Sequence, residues 1–187
     1  MKTPMPLSGM TLVEMLVSIA LFSMIMLSLC GIVVSYYKLF DVQKASINVG
    51  TTAHATLDAF ERAGRSADAV VASHRFSGVT YATGQNAVIF EIPSVDVDKQ
   101  IIPGIYDYIA LVASGTDVYQ ISDAWNRSVR PSGMWHLSDV LSSLVFTYDT
   151  PNPVSASAVT AEVSTAGTVG ARTLSTRLTE RVYLRNR

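Results

Sequence analysis

Met10 to Val34 reads MTLVEMLVSIALFSMIMLSLCGIVV, and this run decides the fold because its one charge is Glu14. As a helix rising 1.5 Å per residue, a run of about 25 residues is long enough to cross a hydrocarbon layer ~30 Å thick. Ahead of it lies MKTPMPLSG, with Lys2, Pro4, Pro6 and Gly9 and no apolar stretch of its own. A secretory signal places its cleavage site after the apolar region at a small-x-small pattern, and SYYKLFDVQK, which follows, offers none. The sequence therefore predicts a short segment, residues 1–9, separate from a retained span over 10–35. Glu14 is the odd residue, since a carboxylate at the centre of a membrane helix costs about 2.5 to 3.5 kcal/mol. It either stays hydrated near the membrane face or has a partner.

Ser8-Gly9 followed by Met10-Thr11-Leu12-Val13-Glu14-Met15-Leu16-Val17 resembles the processing and methylation motif of type IV prepilins and type II secretion pseudopilins. The resemblance implies a leader cleaved after Gly9 by a prepilin peptidase, N-methylation of Met10, and Glu14 pairing with the N-terminal ammonium of a neighbouring subunit. Two charges that are each costly in lipid become tolerable as a pair, so a subunit in correct register would be favoured. It further implies a bacterial inner-membrane location with the outer domain periplasmic or extracellular, an assembly platform in that membrane, and a filament of related subunits. Met10 stands where many members have phenylalanine, and Gly31 where major pilins often carry proline. Gly31, with Ser28, is read either as a weak point of the helix or as a place of close helix packing. Glu14 argues against the tip subunit of type II secretion, which by resemblance lacks that carboxylate.

Beyond the span, Leu39, Val42, Val49, Ala53, Leu57, Phe60 and Gly64 recur at steps of three, four or seven and predict an amphipathic continuation of the helix over 36–72. Its end is expected at Gly64 or between Gly64 and Ser73. Tyr36, Tyr37 and Lys38 have the composition of an interfacial belt. Residues 73–187 change character, with short runs of Val, Ile, Thr and Tyr between turn residues. Seven strands are predicted: 78–82, 87–92, 107–113, 117–122, 144–149, 158–164 and 173–184. Thr83-Gly84-Gln85-Asn86 and Ser114-Gly115-Thr116 read as hairpin loops, Pro151-Asn152-Pro153 as a break, and Leu137 to Leu144 as one short helical turn. The expected class is α+β: a long N-terminal helix covering an antiparallel sheet, the plan of the pilin fold. The ending TLSTRLTERVYLRNR, Thr173 to Arg187, is similar to those of minor pilins and J-type minor pseudopilins.

Charge excludes little but does not favour nucleic acid, because 14 basic residues face 15 acidic ones. The one cysteine, Cys30, lies in the apolar run, so the outer domain must hold without an internal disulfide. His54, His74 and His136 show no partner spacing, and no HExxH, GxSxG or phosphate-cradling glycine loop occurs, so neither catalysis nor a cofactor is expected. Asp96 and Asp98, with Asp107, are read as solvated, a calcium loop being the alternative. Trp125 and Trp135 flank a loop holding Arg127 and Arg130; core anchoring of each ring is expected, a contact surface being the alternative. The function expected is that of a minor pilin or pseudopilin. The alternative is a signal-anchored, single-pass protein whose β domain binds a ligand or adheres.

Overall fold

The computed structural model describes residues 11–185. One helix, α1, runs Leu12–Ser66 without a break, and the chain divides into two compact units at Gln43 and Lys44. In the first unit every described side chain as far as Asp41 is exposed. Four serines there would be left with unpaired hydroxyls in an apolar medium, and each instead donates to the carbonyl four residues back: Ser18 to Glu14, Ser23 to Ile19, Ser28 to Met24 and Ser35 to Gly31, at 2.7–2.9 Å. These serines thus carry no unsatisfied hydroxyl into whatever surrounds the segment.

The second unit holds the rest of α1 and ten strands. These are β1 Ala69–Val70, β2 Ser73–Phe76, β3 Val79–Ala82, β4 Ala87–Val95, β5 Ile101–Ser114, β6 Asp117–Asp123, β7 Gly133–Ser138, β8 Leu141–Tyr148, β9 Ala158–Val169 and β10 Arg172–Tyr183. They pair antiparallel into a five-stranded sheet, β1-β4-β5-β6-β7, a three-stranded sheet, β10-β9-β8, and the β2-β3 pair. A helix packed on antiparallel sheets is the α+β layout read from the sequence.

The helix contributes Val49, Ala53, Thr56, Leu57, Ala59, Phe60, Ala63 and Gly64 to the interior. Leu39 and Val42, expected on the same face, stay exposed and half-buried, so the buried stripe starts at Val49. Phe60 joins both larger sheets, its ring 5.8 Å from Phe90 of β4 and 5.8 Å from Phe146 of β8. Such tilted aromatic contacts add about 0.5–1.5 kcal/mol each beyond area burial. Gly64 is where the helix meets β10: a Cβ there would overlap Val182 Cγ2. On the three-stranded side the Thr165 hydroxyl donates to the Val49 carbonyl at 2.8 Å in the interior.

β4 explains its own sequence. Val88, Phe90 and Ile92 belong to the core under the helix, whereas Ile89 joins Phe76, Ala110 and Ile121 in a second, smaller core. A strand buried on both faces reads as a continuous apolar run.

Each of the seven predicted strands falls on an observed one; β1, β2 and β7 add to them. The helical turn expected at Leu137 to Leu144 does not form. Leu137 lies in β7, while Leu141 and Leu144 lie in the first half of β8 and both enter the core because the β8–β9 register shifts between Leu141 and Ser143. That bulge imitates a helical spacing. Thr83 to Asn86 is likewise not a hairpin loop: it links β3 to β4, which pair with other strands. Ser114 to Thr116 is one, closing β5 on β6 with Gly115 at φ +62°.

Candidate functional site

Gly9 and Met10 lie outside the described residues, so of the motif positions the structure places only those from Thr11 onward. The Thr11 N–H and hydroxyl both donate to Glu14 Oε2, at 2.8 and 2.9 Å, and the Glu14 N–H donates to Thr11 Oγ1 at 3.3 Å. This is a reciprocal capping box: a threonine just before the helix and a glutamate three residues on satisfy N–H groups that the first turn cannot. The T-x-x-E spacing of Thr11 and Glu14 is a local signal of this cap, legible in the residues alone. From Glu14 on, the surface is apolar. Leu12–Ser66 is the one described helix long and apolar enough to cross a membrane, and Phe22, Ile25 and Leu29 are all more than half exposed. Cys30, Tyr36 and Tyr37 are exposed as well.

In the outer domain the polar groups cluster in pairs that spacing did not reveal. Asp107 on β5 is fully buried. Its Oδ1 accepts from Ser94 Oγ at 2.5 Å and the Trp125 N–H at 2.9 Å, and its Oδ2 from Ser128 Oγ and Arg130 Nη1, each at 2.7 Å. Burial is the largest single influence on its carboxyl and opposes ionisation, but these donors together outweigh it and hold the group below the usual carboxylate range. Arg130 also donates to the Pro93 carbonyl at 2.6 Å. Asp107 therefore fastens the β6–β7 loop to the end of β4 and the middle of β5, and it is committed there and not to the Asp96 turn. Among the described residues no three His, Cys, Asp or Glu side chains gather as a metal site.

His74 of β2 meets Asp123 of β6 at 2.8 Å and stacks on Tyr108 at 3.8 Å between ring centroids. Tyr108 donates to Glu91 at 3.1 Å; burial, then the nearby Glu91 charge, push its phenol up. His136 pairs with Asp117 at 2.7 Å across the β6–β7 register. His54 is solvated. His74 thus ties the β2–β3 pair to β6, and His136 ties β7 to β6.

The expected anchoring of both tryptophans in the core does not hold. Trp125 is half-buried with the Arg127 guanidinium 5.6 Å from its ring centre, and Trp135 is 39% exposed. Trp135 fails to enter the core because α1 covers only part of the five-stranded sheet. On the uncovered side Trp135, Leu137, Ile109 and Gln120 form the floor of an open groove of about 520 Å³, with Arg62 of α1 as one wall. An adjoining hollow of about 260 Å³ continues along the helix past Ala59 and Ser66. Comparison with protein families, with curated proteins and with solved structures returned no match.

Proposed function

We propose that the chain is a non-enzymatic structural subunit, a minor pilin or minor pseudopilin, of a type IV pilus or a type II secretion pseudopilus. In this reading a prepilin peptidase cuts after Gly9, Met10 becomes the methylated N-terminus, and the inner-membrane assembly platform passes the subunit into a filament of related subunits. The observation that carries the proposal is the Gly9 to Glu14 motif placed directly before an apolar helix. That helix leaves its whole described surface free as far as Asp41 and satisfies its own serines. A segment of this kind can lie in lipid and later bundle with its like without leaving polar groups unpaired.

The capping box favours a second reading, a single-pass anchor with an adhesive or ligand-binding outer domain, because Glu14 then has a partner in its own chain. Glutamine also serves at the third helical position of a capping box, so Glu14→Gln keeps the cap and removes the charge, whereas Glu14→Ala removes both. Intact mass spectrometry from the native membrane is expected to read a methylated Met10 terminus for the parent and for both variants, and full-length, unmethylated chain for Gly9→Ala. Both Glu14 variants are expected to enter filaments poorly. A glutamine variant that assembles like the parent would leave Glu14 a cap, and a parent chain still starting at Met1 beside an active peptidase would leave a plain anchor.

A further inference from the structure

Two surfaces of the outer domain are unfinished, and their chemistries match. The first is the turn joining β4 to β5. Asp96 Oδ1 accepts the N–H groups of Asp98 and Gln100, each at 2.9 Å, and the Asp96 carbonyl accepts that of Lys99 at 3.0 Å, so the turn is stiff. At its tip Val97 is 81% exposed, more than any other large apolar side chain among the described residues, and carboxylates stand on either side of it. Lys99 offsets one of the two charges.

The second surface is the groove. Arg62 has no ion-pair partner among the described residues: it does not pair with Asp58, one turn earlier, and Glu61 pairs with Arg65. The side chains of Gln120 and Ser122 make no described hydrogen bond, although Ser122 is only 6% exposed. The neighbouring Arg130 is, by contrast, paired with Asp107 through Nη1, which also donates to the Pro93 carbonyl. Three polar groups with unused capacity thus converge beside the exposed Trp135 ring, which suits an occupant carrying an apolar tip next to a carboxylate.

We propose that the groove receives the Asp96-Val97-Asp98 turn of a second copy of this chain, with Val97 against Trp135 and Leu137 and the Asp98 carboxylate on Arg62. Gln120 and Ser122 take polar groups of the incoming turn. The turn does not reach its own groove, because its stem is pinned by the Val129 N–H to the Val95 carbonyl at 2.9 Å and by the Val95–Ile101 pairing. The contact joins two different patches, one from each copy, and does not depend on the filament reading.

The test uses the unprocessed full chain in detergent micelles, so cleavage and filament assembly play no part. In a Cys30→Ala background, Gln100→Cys on one tagged chain and Pro131→Cys on another place thiols beside the two surfaces while keeping every proposed contact. Mild oxidation is expected to give at least tenfold more mixed dimer than the same turn variant gives with Ser175→Cys, an exposed site on β10. Val97→Asp, or Arg62→Glu in the groove chain, is expected to abolish the excess, and Asp98→Arg in the turn chain to restore it with Arg62→Glu. Equal cross-linking to Pro131→Cys and Ser175→Cys, or no rescue by the paired reversal, would overturn the proposal and give the groove to another occupant.

Discussion

Phe22 and Phe60 lie on the same helix, yet one is 60% exposed and the other 1%. The difference is not one of residue type but of what the surrounding chain supplies. Around Phe22 every helical face is apolar and the described side chains are exposed; around Phe60 one face is apolar and two sheets cover it. A helix hydrophobic all round needs an apolar solvent or like helices, whereas a striped one needs a single partner surface. The second region is covered by strands of its own unit, whereas the first is exposed among the described residues.

The largest test of this contrast is a pair of truncations. Phe60→Ala is expected to destabilise the outer domain by about 3–5 kcal/mol, as large-to-small changes at packed aromatic sites do, while Phe22→Ala should leave the same transition within ~0.5 kcal/mol. Urea unfolding followed by tryptophan fluorescence reads both, since Trp125 and Trp135 lie in that domain. Equal losses would mean that the two halves of α1 are not distinct.

A somewhat smaller effect separates the regions by pH. Asp107 is held below its ordinary value of 3.8 in the folded domain, so the unfolded chain takes up a proton at higher pH than the folded one. Its contribution is therefore complete above that ordinary value and is lost as pH falls through the lower, folded one. Thermal midpoints of the domain should drop in acid, and Asp107→Asn should flatten that part of the profile. The same variant is expected to cost about 3 kcal/mol near neutrality because it leaves Arg130 without its counter-charge. A profile unchanged by the substitution would remove Asp107 from the acid response.

The smallest effects differ in sign. Gly64→Ala pushes a methyl into Val182 and should destabilise by about 1–3 kcal/mol. Gly31→Ala meets nothing within 4 Å and should strengthen the helix by up to ~1 kcal/mol. Circular dichroism during thermal unfolding measures both. A Gly31→Ala chain that is more helical in micelles yet fails to assemble would favour close helix packing at Gly31 over local melting.

The elements whose signal is local are legible in the residues alone. The long apolar run shows itself by composition, its amphipathic continuation and seven of the strands by apolar periodicity within one element, and the helix ends at Ser66, inside the interval expected. The capping box at Thr11 and Glu14 was equally local. Tertiary structure alone decided which strands pair, why a bulge brings Leu141 and Leu144 to one core, and that Trp135 lines a groove. It also decided that Asp107 finds Arg130 across 23 residues, His74 finds Asp123 across 49, and Thr165 finds Val49 across 116. The physical reason is that a hydrogen-bonding group can be satisfied by any partner the fold delivers, so spacing along the chain carries no record of it. Coverage of a sheet by a helix depends in the same way on width and angle, which no periodicity encodes.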